Sequence, residues 1–172
     1  HVLFDFDGTL SLVREGWVDI MVPMMTEILL PFAREGETPE SLGRDVREFV
    51  DLLTGKQTIY QMMRLAREIS ARGGSPEDPG VYKKRYHDRL MERIAGRRKA
   101  LAEGSVDPED MLVPGTLPLL EELVRRGAVL YIASGTDERS VLEEAALLGI
   151  DRFAPGRVYG ALDDLGAFSK EM

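Results

Sequence analysis

The run Ala128-Val129-Leu130-Tyr131-Ile132-Ala133 narrows the fold more than any other segment. It is far too short for a membrane helix. Its unbroken apolarity and β-branching suit a strand buried on both faces, not the alternating pattern of a half-exposed one. It leads into Ser134-Gly135-Thr136-Asp137, read as a turn, and then into a helix carrying Val141, Leu142, Ala145 and Leu148, closed by Gly149. The first residues repeat the theme: Val2-Leu3-Phe4-Asp5-Phe6-Asp7 is short, apolar and aromatic, and Gly8 stops it. Pro114-Gly115-Thr116 opens a further helix through Leu117, Leu120, Leu123 and Val124, and 158–162 reads as one more short strand. Strand, turn and helix in alternation predict an α/β domain with a parallel, Rossmann-like sheet.

Between these parts the periodicity changes. Residues 15–33 repeat apolar side chains at three and four, from Trp17 and Ile20 to Leu29 and Phe32, with Pro23 expected to kink or restart the helix. Thr38-Pro39-Glu40 signals the start of a second helix through Leu42, Val46, Phe49, Val50 and Leu53. A third runs from Ile59 to about Ile69, and a charged fourth from about Val81 to about Leu101. The expected organisation is therefore an α/β domain of residues 1–13 and 111–172, with an all-helical domain of residues 14–110 inserted into it.

Composition removes several function classes. The net charge of −8 argues against sequence-independent nucleic-acid binding, which needs a positive face for phosphates. With no cysteine, there can be no disulfide, thiolate zinc site or cysteine nucleophile. The two histidines, His1 and His87, are far apart, so any metal must be held mainly by oxygen, which favours Mg²⁺. No apolar run reaches the roughly 18 residues of a membrane span, and two acids interrupt the first apolar stretch, so no signal peptide is read there. No membrane partner is expected, and a cytoplasmic location is.

The chemistry is concentrated in the turns. Asp5 and Asp7 stand at the carboxyl end of the first strand, the edge where open α/β sheets bind ligands. Side chains at i and i+2 share a side, so the two carboxylates can converge. Such a pair can bind a divalent cation, or one acid can attack an electrophile while the other moves a proton. The plainer reading is two acids capping a turn.

Phe4-Asp5-Phe6-Asp7-Gly8-Thr9-Leu10 resembles the first motif of the haloacid dehalogenase superfamily of phosphotransferases. Tyr131-Ile132-Ala133-Ser134-Gly135-Thr136 is similar to its second motif, and Ser169-Lys170 to its third. The resemblance implies that Asp5 is the nucleophile that becomes an aspartyl phosphate, and that Asp7 is the general acid and base. It implies that Ser134, with backbone N–H groups at Thr9 and Gly135, binds the phosphoryl oxygens, and that Lys170 pairs with the nucleophile. Mg²⁺ would be held by Asp5, by Asp7 through its backbone carbonyl, and by an acid of a fourth motif expected after the lysine. That part of the core is expected to be missing, because the chain begins inside a strand and ends without a turn or tail. Asp163 and Asp164 are an alternative fourth motif, although they precede the lysine. A simple N-cap is the rival role for Ser134.

The helical insertion resembles the cap that many family members carry after the first motif. In it, Thr54-Gly55-Lys56-Gln57-Thr58 is the loop to point inward, with Lys56 as a substrate-binding cation, and Arg14 at the hinge is a second candidate. Met21, Met24, Met25, Met62 and Met63 are read as cap core, and the basic run Lys83 to Lys99 as a solvated helix face. The function so implied is a Mg²⁺-dependent phosphatase acting on a small phosphorylated metabolite of the phosphoglycolate or sugar-phosphate kind. The alternatives are a phosphomutase or a catalytically silent binding domain. Substrate identity and oligomeric state are not readable from the sequence.

Overall fold

Three strands from the two ends of the chain pair into one sheet; the second and third bury apolar side chains in it, whereas the first, expected to be equally buried, leaves Leu3 68% exposed. A computed structural model describes residues 1–162. In chain order the elements are β1 (Val2–Asp5), α1 (Val18–Leu29), α2 (Pro39–Leu52), α3 (Thr58–Ala71), α4 (Pro79–Ala102), α5 (Thr116–Arg125), β2 (Leu130–Asp137), α6 (Glu138–Leu147) and β3 (Val158–Ala161). The strands form one sheet in the order β1-β2-β3, and both pairings are parallel. The α/β architecture with an inserted helical segment is thus the observed one.

The chain divides into two compact units, one of His1–Glu15 with the residues from Ile94 onward, the other of Gly16–Arg93. The second crossing between them falls inside α4. In the α/β unit, Leu130 and Ile132 of β2 are buried with Val158 and Ala161 of β3, with Val141 and Ala145 of α6 and with Leu148 at the C-cap of α6. α6 packs on both β2 and β3.

β2 departs from its expected form in two ways. Its second face is only half-buried: Tyr131 carries His1 and Arg157 against its ring, at 5.7 and 5.8 Å, as an amphipathic side chain at a wet boundary does. The strand also continues through Ser134-Gly135-Thr136-Asp137, where the sequence predicts a turn. The pairing shows why. β2 advances from Ala133 to Asp137 while β3 advances only from Tyr159 to Ala161, so the extra residues of β2 arch out of register as a bulge.

The helical unit contains α1 to α3 and the first part of α4. Met21, Met24, Met25 and Met62 are fully buried with Leu42, Val46, Val50, Leu65 and Ile69, as expected of cap core, while Met63 is half-exposed. α1 starts at Val18, later than the expected 15, because Gly16 has φ +87°, which a right-handed helix cannot contain. It then runs uninterrupted through Pro23. α2 begins where expected: the Thr38 side chain accepts from the Ser41 N–H, the Ser41 hydroxyl accepts from the Thr38 N–H, and Pro39 occupies the first turn.

Candidate active site

The β1 strand ends at Asp5, and the chain turns at once. Gly8, at φ +75°, provides the left-handed step that a side chain would resist. The Phe6 carbonyl then accepts from the N–H groups of Thr9, Leu10 and Ser11, at 3.3, 2.9 and 2.9 Å. This tight knot anchors Phe6 and Leu10, both buried, and leaves Asp5 on the exposed side. The Thr9 hydroxyl donates to Asp5 Oδ2 at 3.3 Å. The Thr9 N–H, expected to face phosphoryl oxygens, points to the Phe6 carbonyl here.

Asp7 is the hub. Its Oδ2 accepts from the Ser134 hydroxyl at 2.8 Å and from the Thr136 hydroxyl at 2.9 Å. Ser134 Oγ in turn accepts from the Thr136 N–H at 3.0 Å. These residues lie almost 130 positions apart in sequence. The parallel β1–β2 pairing, Asp5 opposite Ala133, sets both segments at the same sheet edge, and the β2 bulge carries Ser134 and Thr136 to Asp7. The rival N-cap role for Ser134 is therefore not the observed one: the N-cap of α6 is Asp137, and Ser134 lies inside β2 with Gly135 after it.

The other oxygen of Asp7 has a different environment. Asp7 Oδ1 is buried and has no hydrogen-bond partner among the described residues. Arg14 Nε stands 3.7 Å from it, too far for a hydrogen bond. Instead, Arg14 puts its fork on Glu144 of α6: Nε donates to Oε2 at 2.9 Å and Nη2 to Oε1 at 2.8 Å. Arg14 is 6% exposed and Glu144 0%. Arg97 fixes the segment around Arg14 by donating to the Val13 and Glu15 carbonyls, each at 2.9 Å. Arg98 reaches Glu143 at 2.6 Å. Reading the whole basic run as a solvated face was thus wrong at Arg97 and Arg98, although Lys84 does pair with Asp88 on the surface.

Glu144 and Thr136 were not named as site residues from the sequence. For Glu144 a signal existed: it shares a helical stripe with Val141, Ala145 and Leu148, and an acid on an apolar stripe needs a buried partner. Lys56 belongs to the helical unit, in the loop between α2 and α3, where it lines an open cavity with Tyr60, Arg64 and Arg67. Lys170, Asp163 and Asp164 lie outside the described residues.

Asp5 and Asp7 put hard oxygen donors at one strand end, which is chemistry that suits a hard cation. No group of three or more His, Cys, Asp or Glu residues among the described ones could hold a metal ion. Of the expected ligand set, then, the described residues supply Asp5 and Asp7 and no third acid.

A family model of haloacid dehalogenase-like hydrolases matches residues 1–170. The chain belongs to this family. Among solved structures, the chain is similar to a predicted phosphoglycolate phosphatase from Haemophilus somnus 129pt, at 17% identity and a TM-score of 0.52. That match covers 92% of this chain and 60% of the other, so the chain spans well under two thirds of its neighbour's length. At this identity the likeness concerns the fold. A candidate β-phosphoglucomutase from Thermotoga maritima aligns at 19% identity and a TM-score of 0.45, over 92% of this chain and 59% of that one. No curated protein matches the chain. No helix among the described residues is long and apolar enough to cross a membrane.

Proposed function

We propose that this hydrolase is a Mg²⁺-dependent phosphatase that cleaves a small phosphorylated metabolite, of the phosphoglycolate or sugar-phosphate kind, through an aspartyl phosphate. The observation that carries the reading is the junction of Asp7 with Ser134 and Thr136, which joins the first two motif segments at one sheet edge. Phosphoryl transfer asks the protein chiefly for positioning and charge neutralisation, and a strand-end acid pair facing hydroxyl donors offers both.

In this reading Asp5, exposed at the end of β1, attacks phosphorus and displaces the alcohol oxygen of the ester. Asp7 gives that oxygen a proton, then takes one from the water that hydrolyses the acyl phosphate. Ser134 leaves Asp7 to donate to a phosphoryl oxygen, with the Gly135 N–H beside it and Thr9 positioning Asp5. Asp5 and the Asp7 carbonyl would hold Mg²⁺, which supplies charge neutralisation for the phosphoryl group. Lys170 would pair with the nucleophile. In this reading Gly16–Arg93 is the cap that selects the substrate, with Lys56 as its candidate contact, while the fork of Arg14 is engaged by Glu144. A cytoplasmic location and the absence of nucleic-acid or membrane partners belong to the same proposal.

The test is release of inorganic phosphate from a panel of phosphorylated metabolites. Turnover should stop in EDTA and return with Mg²⁺, and Asp5→Asn should abolish it without lowering the melting temperature. A mutase would reveal itself by isomerised ester in place of free phosphate. Near-native turnover by Asp5→Asn, or full activity in chelator, would refute the reading.

A further inference from the structure

We propose that Glu144 is a positioning residue: by occupying the fork of Arg14, it keeps Arg14 from capturing Asp7 and so leaves Asp7 Oδ1 open for proton transfer. The kinetic part of this inference rests on the phosphatase reading; the structural part does not.

The edge of a guanidinium formed by Nε and Nη2 is the one that a carboxylate matches with two parallel bonds. In Arg14 both nitrogens of that edge donate to Glu144, at 2.9 and 2.8 Å. Nε has a single hydrogen, and it is spent there. Asp7 Oδ1, only 3.7 Å from the same Nε, therefore receives charge but no hydrogen bond. Two carboxylates compete for one fork, and Glu144 holds it. Arg98 Nε, 4.0 Å from Glu144 Oε1, and the fully buried position on α6 hold Glu144 in turn.

Removing Glu144 frees the Nε–Nη2 edge of Arg14 beside a buried acceptor that has no donor among the described residues. The released Nε–H then faces Asp7 Oδ1 across 3.7 Å, so Arg14 should close the short gap onto Asp7. Asp7 would then be bound at both oxygens, by Ser134 and Thr136 on Oδ2 and by Arg14 on Oδ1, and could no longer turn towards a leaving group. A purely structural role fits less well, because a buried ion pair can often be replaced by apolar residues of similar volume without loss of stability. The placement of this pair against Asp7 is what gives it a use.

Three variants decide the matter: Glu144→Leu, Glu144→Gln and the double variant Arg14→Met/Glu144→Leu, each crystallised and assayed with a phosphomonoester and Mg²⁺. In Glu144→Leu, an Arg14 nitrogen should lie within about 3 Å of Asp7 Oδ1. Its kcat should fall about 100-fold, with KM within about threefold of wild type, as expected when an acid–base group is immobilised while ground-state binding persists. The double variant should regain at least about tenfold of the lost kcat. Glu144→Gln keeps an acceptor without the charge, should show a smaller loss, and serves in place of Glu144→Leu if that protein does not fold. The inference is overturned if Arg14 stays away from Asp7 once Glu144 is replaced, if stability falls while kcat does not, or if removing Arg14 restores nothing. Should wild type hydrolyse no phosphomonoester, the phosphatase reading fails, and the position of Arg14 in the crystals still decides this one.

Discussion

Gly160→Ala should disrupt the site from behind. Gly160 lies inside β3, beneath the β2 bulge and the first turn of α6. A Cβ there would stand 2.2 Å from Glu138 Cα, 2.5 Å from Glu138 N and 2.7 Å from the Thr136 carbonyl oxygen. Ordinary van der Waals contact begins at 3.4 Å, so β3 or the start of α6 must shift by about 1.2 Å. All three neighbours are backbone atoms, so no side-chain rotation relieves the clash. Overpacking costs about 1–3 kcal/mol, and the stiffer unfolded chain of alanine returns about 0.5 kcal/mol. With backbone on every side the upper range applies, for a net loss of about 2–2.5 kcal/mol. Urea unfolding should show a lower midpoint at an unchanged slope. Activity should fall by more than stability alone requires, because the displaced segment carries Thr136, whose hydroxyl reaches Asp7 at 2.9 Å. A midpoint within error of wild type, with full turnover, would refute the reasoning and mean that the bulge has room to spare.

Two further predictions concern the helical unit. Met24→Ala, at a fully buried site, should cost about 3 kcal/mol, followed by the fluorescence of Trp17, the protein's one tryptophan; a loss below about 1 kcal/mol would remove Met24 from the core. The Glu37 carboxyl is held below its ordinary value of 4.5, first by the Arg72 hydrogen bond and then by the Arg34 N–H. Its folded value lies below its unfolded one, so its contribution is full above about pH 4.5 and is lost as pH falls through the folded value. The urea midpoint of wild type should therefore drop in that acid range, and Glu37→Gln should flatten the drop; parallel curves for the two proteins would count against the pairing.

The sequence by itself determined the elements and one half of the site. Unbroken apolar runs marked β1 and β2, stripes at three and four marked the helices, and Thr38-Pro39 marked the start of α2, because hydrophobic period and capping chemistry are local properties. Asp5 and Asp7 were legible for the same reason: their spacing at a strand end is written in five consecutive residues. Whatever depends on register was not. A continuous apolar run does not say which partner it will have, and a bulge exists only relative to a neighbouring strand, so the passage of β2 through Ser134 to Asp137 and the need for Gly160 beneath it appeared only once β2 and β3 were paired. Glu144 could be marked as an acid on an apolar stripe, yet its partner lies 130 positions away, and no local pattern pairs them. Tertiary structure alone decided that Arg14 gives its fork to Glu144 and not to Asp7, because that outcome turns on a difference of about an ångström between two carboxylates competing for the same buried nitrogen.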